Sequence, residues 1–196
     1  MIVAIVKYNA GNIYSVAHAL KRLGVETIIT ANAEQLHSAD KIIFPGVGEA
    51  ATTMKYLKNN KLDDIIRSLR QPVLGICLGM QLLCRHSEEG DVDGLGIFNT
   101  EIKRFSPCIH TDKIPHMGWN TITQTKGNLF QGFTQAEFVY FVHSYYAPIC
   151  SETIACTEYI HPFSAALQKD NFYATQFHPE KSGIIGERIL NNFLTL

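Results

Sequence analysis

The scarcities of this 196-residue chain narrow its function before any motif does. No apolar run approaches the roughly 18 residues a membrane-spanning helix needs. The apolar start Met1–Val6 is broken at once by Lys7 and has neither the length nor the cleavage pattern of a signal peptide. With a formal net charge of −1 there is no basic stripe for nucleic acid and no polybasic patch for a membrane surface. The cysteines are few and odd in number, Cys77, Cys84, Cys108, Cys150 and Cys156, without a CxxC pair, so neither a disulfide framework nor a zinc site is indicated. GxGxxG and a phosphate-loop lysine are both missing, which argues against a nucleotide cradle. Linkers, repeats and low-complexity segments are missing too. These absences leave a cytosolic chain forming one domain over residues 1–196, without metal or cofactor, whose partner is a small molecule or another protein.

The first half of the chain alternates strands and helices. Ile2 to Val6 is an apolar strand, and Ile13, Val16, Ala17, Leu20 and Leu23 recur at helical spacing, with Asn12 as the cap and Lys21, Arg22 and Gly24 at the end. Val25 to Ile29 and Lys41 to Phe44 are further strands, Leu62 to Leu69 a helix, and Val73 to Ile76 another strand. That order predicts an α/β fold: a mixed, mostly parallel sheet with helices on both faces. In the second half, Phe98 to Phe105, Trp119 to Thr125, Phe138 to Tyr146 and Thr153 to Tyr159 are aromatic or β-branched runs without helices between them. Ser164 to Gln168 and Phe172 to Phe177 flank a Lys169-Asp170-Asn171 turn. These segments predict an antiparallel addition, and an amphipathic helix follows Ser182.

One stretch asks for a chemical explanation. Gly75-Ile76-Cys77-Leu78-Gly79 follows a strand and has the form of a nucleophile elbow, where small flanking residues let a strand turn sharply into a helix with the central side chain exposed. At a helix N-terminus, free N–H groups and the helix dipole favour thiolate over thiol. The pattern alone is equally consistent with a small buried hydrophobe. A nucleophile needs a base, and His178-Pro179-Glu180 supplies one: Pro179 keeps His178 extended, and i, i+2 residues of an extended segment face the same way. Glu180 would then fix the imidazole tautomer. Pro45-Gly46-Val47-Gly48, just past a strand, offers backbone donors for an oxyanion together with the N–H of Leu78. Taken singly, each of these motifs has an ordinary structural reading. His18, His37, His86, His110 and His161 have no ligand-spaced companions, and Cys84, on the same helix face as Cys77, reads as core.

Taken together, "FPGVGEA", "LGICLGMQLL" and "TQFHPEKS" resemble the class I glutamine amidotransferases over essentially the whole chain. "YNAGNI", "IPHMGWN" and "FVHSYY" are similar, within that family, to the glutaminase subunits of imidazole glycerol phosphate synthase. The resemblance implies a flavodoxin-like amidotransferase fold that releases ammonia from L-glutamine. Catalysis would fall to Cys77, His178 and Glu180, with oxyanion donors at Leu78, Val47 and Gly48. Glutamine would be held by Gln81, Ser144, Tyr145 and Glu89. It further implies a heterodimer with the cyclase subunit, a (β/α)8 barrel, docking near Asn12, His116, Met117, Trp119, Asn120 and Lys181. Lys7 and Asn9 depart from the family, which usually has an acidic residue and a glycine on either side of Tyr8. Three readings compete: another class I amidotransferase glutaminase, a stand-alone thiol hydrolase, and a non-catalytic binding module.

Overall fold

The structure is a computed structural model that describes residues 1–8 and 12–196, so Asn9 and Gly11 lie outside the described residues. Among the described residues, thirteen strands and six α-helices follow one another, with two short 3-10 turns. The first half contains β1 (Ile2–Val6), α1 (Ile13–Arg22), β2 (Glu26–Thr30), α2 (Ala33–Ser38), β3 (Lys41–Phe44), α3 (Ala50–Asn59), α4 (Leu62–Ser68), β4 (Val73–Ile76) and α5 (Leu78–Leu83). The second contains β5 (Cys84–Ser87), β6 (Val92–Asp93), β7 (Phe98–Arg104), β8 (His116–Ile122), β9 (Glu137–His143), β10 (Tyr145–Tyr146), β11 (Thr153–Tyr159), β12 (His161–Lys169), β13 (Phe172–Thr175) and α6 (Gly183–Leu194).

The central sheet has seven strands in the order β11-β12-β13-β4-β3-β1-β2. From β13 to β2 all neighbours run parallel, while β11 and β12 add antiparallel strands at one edge. Strand alternation divides the core between the two faces. Val3, Ile5, Ile43 and Ile76 pack against α1 and α6, and Ala4, Val6, Ile42 and Phe44 pack against α2 to α5. Outside the central sheet, β10-β7-β5-β6 form a small sheet and β8 pairs with β9 as an antiparallel ribbon.

The predicted Lys169-Asp170-Asn171 hairpin is present, with Asp170 at φ 51°. Its second strand, however, does not stay in the antiparallel part. β13 lies parallel to β4 with Thr175 opposite Ile76, so the segments leaving these two strands emerge side by side. Phe44 pairs with Gly75 on the other side of β4. Three adjacent strands therefore end together at one edge, where open parallel sheets bind ligands.

Two expectations are corrected. Asn12 precedes α1 but makes no side-chain cap bond, because its amide is engaged elsewhere. Cys84 is not on a helix face: α5 ends at Leu83, and Cys84 opens β5 as a fully buried core residue. The helices α2 and α3 carry weak sequence signals. α3 starts where the Glu49 carboxylate accepts from the N–H groups of Ala51 and Thr52, a cap that acts at the first turn rather than along the helix face.

Candidate active site

β4 passes into α5 through a single residue, Cys77, at φ 53° and ψ −107°. An L-residue there costs about 1–3 kcal/mol and persists only where its surroundings over-determine it. They do so here: Cys77 N–H donates to Thr175 O at 2.8 Å, and Gln81 N–H donates to Cys77 O at 3.2 Å. The flanking glycine is obligatory for packing, since a Cβ on Gly79 would sit 1.9 Å from the carbonyl oxygen of Phe44. The turn leaves Cys77 7% exposed, in the wall of a cavity of about 320 Å³ shared with Val47, Gly48, Leu78, Gln81, Glu89, Ser144 and Tyr145. That volume suits a small polar ligand.

His178 follows β13 and is fully buried. It is extended at φ −98° and ψ 96°, as Pro179 dictates. Glu180 reaches it by another route than the one the sequence suggests: Pro179–Lys181 is a turn of 3-10 helix that folds the carboxylate back, placing Oε1 2.8 Å from Nδ1 of His178. Because a carboxylate only accepts, Nδ1 carries a proton in either charge state, and Nε2 is the nitrogen that gains or loses one. The backbone is pinned as well, His178 N–H to Tyr140 O at 2.9 Å and Ser182 Oγ–H to His178 O at 2.7 Å. Burial opposes a charge on this ring, but the nearby Cys77 sulfur and the Glu180 carboxylate outweigh it and raise the pKa to about 10. Such an imidazolium is the partner of a thiolate.

Asn12, expected at a docking surface, is 5% exposed and belongs to this cluster. Its Nδ2 donates to Glu180 Oε1, the oxygen that also holds His178. Tyr8 lies behind the elbow, its hydroxyl donating to Pro45 O. Burial foremost, and then the charge of Cys77, push that phenol upward.

The donors expected for an oxyanion are only partly free. Val47 and Gly48 line the cavity, but Leu78 N–H donates to Gly46 O at 3.3 Å. A developing oxyanion could take this donor only after the Gly46 carbonyl turns away. Gly48, at φ 126°, supplies a backbone position that few other residues could occupy.

Gln81 lies deeper in the cavity wall. The Tyr145 carbonyl can only accept, so the Gln81 atom 3.1 Å from it is Nε2, which also donates to Gln176 Oε1 at 3.0 Å. Gln176 Nε2 in turn points at Cys77 Sγ, 3.7 Å away. The sequence reading passed over Gln176, although it stands in "TQFHPE" two residues before His178 on the same side of the strand exit. Glu89 lines the opposite wall and accepts from Ala50 N–H at 2.9 Å, and half-burial pushes its carboxyl up. Ser144 O accepts from Phe105 N–H at 3.0 Å, which fixes the backbone at the cavity mouth.

Comparison with known proteins establishes the family. The family model for glutamine amidotransferase class-I matches residues 4–196. Imidazole glycerol phosphate synthase subunit HisH of Bacteroides thetaiotaomicron is 70% identical over 196 residues, covering all of both chains. This chain is a class I glutamine amidotransferase of the HisH family. The HisH subunit of Escherichia coli is 45% identical over 201 residues, again covering both chains in full. A solved glutamine amidotransferase from Thermotoga maritima superposes with a TM-score of 0.64 at 16% identity, over all of this chain and 83% of that one, and shares the fold.

The amidotransferase carries an exposed apolar face beside the cavity. Along the β8–β9 ribbon, Met117, Trp119 and Thr121 pair with Val142, Tyr140 and Phe138, all pointing outward. Met117 and Trp119 are 63% and 56% exposed. Lys181 Nζ lies 6.0 Å from the centre of the Tyr140 ring, which meets Trp119 edge-on. His116 departs from the interface expectation: it points inward and is buried. Asn120 alternates to the same inner side, its amide turned to Glu158 O at 2.9 Å. Val142 joins the two regions, its side lining the cavity while its carbonyl lies 3.8 Å from Cys77 Sγ.

Proposed function

We propose that residues 1–196 act as one glutaminase domain that hydrolyses L-glutamine and passes the ammonia to a cyclase subunit of imidazole glycerol phosphate synthase. The observation that carries this reading is the strained Cys77 elbow beside a buried His178, whose Nδ1 is held by Glu180 and whose Nε2 has no hydrogen-bond partner of its own. In the reaction, the Cys77 thiolate attacks the side-chain amide carbon, and the carbonyl oxygen becomes an oxyanion. His178 gives its Nε2 proton to the amide nitrogen, the C–N bond breaks, and ammonia leaves a glutamyl thioester. His178, now neutral, removes a proton from water as the water attacks the thioester; a second oxyanion collapses, freeing glutamate and restoring thiolate and imidazolium. Glu180 and Asn12 hold the ring in register throughout. Gln81, the Ser144–Tyr145 backbone and Glu89 bind the glutamine, Glu89 facing its ammonium.

The bond from Leu78 N–H to Gly46 O supports a further element: the enzyme alone is nearly silent. Removing one oxyanion donor typically costs about 10² to 10³ in rate. A cyclase barrel docked on the Met117, Trp119 and Tyr140 face, near Lys181, would sit against the cavity wall and could select the turned Gly46 peptide. Glutaminase activity of the chain with and without the cyclase and its nucleotide ligand tests this reading. A rise of about 10² or more with the partner is expected, together with labelling of Cys77 alone by a glutamine-like diazoketone. Equal activity in both states would favour a stand-alone hydrolase, and no labelling in the full complex would sink the enzymatic reading.

A further inference from the structure

Two buried histidines take no part in this chemistry, yet they lie in one unbroken hydrogen-bonded line that ends on the glutamine cavity. His143 Nδ1 is 2.7 Å from the carbonyl oxygen of Tyr145. His143 Nε2 is 3.0 Å from His116 Nδ1, and His116 Nε2 is 3.2 Å from the amide nitrogen of Asn120.

The polarity of this line is determined at its inner end. A carbonyl only accepts, so His143 carries its proton on Nδ1; a neutral imidazole then accepts at Nε2, and His116 must also be protonated on Nδ1. Asn120 closes the outer end by donating to His116. Both rings are neutral for an independent reason: they are buried among Phe105, Phe141, Tyr159 and Phe163, and burial lowers His116 to about 4 and His143 to about 3. His116 is further held by stacking on Tyr159 with ring centres 4.1 Å apart.

We propose that His116 and His143 are positioning residues that set the Tyr145 carbonyl, and through it Gln81, for glutamine, and that they link this setting to the docking face of the β8–β9 ribbon. The Tyr145 carbonyl is the hub, since it accepts from His143 on one side and from Gln81 Nε2 on the other. With both lone pairs used it cannot rotate, and Gln81 cannot reverse its amide without losing this bond and the one to Gln176. Gln81 Oε1 is thereby left as the acceptor available to substrate. At the outer end, His116 and Asn120 alternate along one strand with Met117 and Trp119, so a partner held on the outer face restrains the strand that carries the inner line. The inference rests on the glutaminase reading for its substrate, although the tautomers do not depend on it.

The test begins with the unmodified full-length chain. Long-range 1H–15N spectra of the 15N-labelled protein are expected to show His116 and His143 as Nδ1–H tautomers, and an Nε2–H tautomer at either one overturns the proposal. His116→Phe keeps an aromatic ring in the stack but removes the donor. In the complex with the cyclase, the glutamine KM is expected to rise about tenfold, the loss of roughly one hydrogen bond, with kcat changed far less. His116→Asn returns a donor near the Nδ1 position and is expected to recover most of that loss. Ammonia-dependent synthesis by the partner bypasses this site and should stay constant. An unchanged KM in folded His116→Phe, or equal loss in both variants, overturns the proposal; if His116→Phe does not fold, the tautomer spectra decide. A wild-type complex that does not hydrolyse glutamine would instead sink the glutaminase reading.

Discussion

His178 and the His116–His143 pair are buried on elements that touch, yet the two regions resolve burial in opposite ways. Around His178 the neighbours are a sulfur and a carboxylate, and the ring is held as a cation up to about pH 10. Around the pair the neighbours are aromatic rings, an amide and a carbonyl, and burial outweighs the upward pull of the Tyr145 carbonyl on His143, keeping both rings neutral down to about pH 4 and 3. Burial therefore sets only the stakes; the partner decides the sign. The first arrangement suits proton transfer, and the second suits holding a shape.

The largest effect expected is at the sulfur. Cys77→Ala removes both the proposed nucleophile and the sulfur that supports the imidazolium, so glutamine-dependent turnover should fall by at least about 10⁴ while ammonia-dependent synthesis in the complex stays intact. Assaying both substrates on one preparation checks this, and loss of both would point to a structural role for the elbow. Glu180→Gln leaves the shape but takes the carboxylate away, and with it the tautomer and part of the upward shift. A fall of about 10² to 10⁴ in stimulated turnover is expected, with the His178 ring titrating at lower pH by NMR.

Stability against pH separates the regions in a second way. His178, raised in the folded state, contributes fully below its unfolded pKa near 6.5, and that contribution is lost as pH rises through about 10. For His116 and His143, which are lowered, the contribution is complete above about 6.5 and declines as pH falls from there toward 4 and 3. Urea unfolding between pH 3 and 10 is expected to show both limbs, the acid one on the order of a few kcal/mol. His143→Phe should flatten the acid limb and leave the alkaline one, and an unchanged acid limb would mean these rings are not what acid attacks.

The sequence made one of these regions far more legible than the other. An elbow announces itself because its glycines and its nucleophile are contiguous, and Pro179 makes the backbone at His178 readable from the chain. The alternation of strands and helices likewise predicted the parallel sheet. The bond from Asn12 to Glu180 has no local signal, because it depends on the approach of a segment 168 residues away. The aromatic cage is assembled from β8, β9, β12 and the ends of β7 and β11, so no local pattern contains it. His116 and His143 lie within the quoted "IPHMGWN" and "FVHSYY", but their inward orientation follows from ribbon register, which a one-residue slip would reverse. Gln176 carries no local signal either, since only the pairing of β13 with β4 brings its amide to Cys77 Sγ.

The backbone at Cys77 carries a final consequence. At most positions glycine is the worse tenant, because it leaves the unfolded chain freer. At φ 53° and ψ −107° that preference reverses, and Cys77→Gly should unfold about 1 kcal/mol later than Cys77→Ala although both are inert. Selection for durability alone would therefore erode this site, and a side chain retained at such an address is a mark of use.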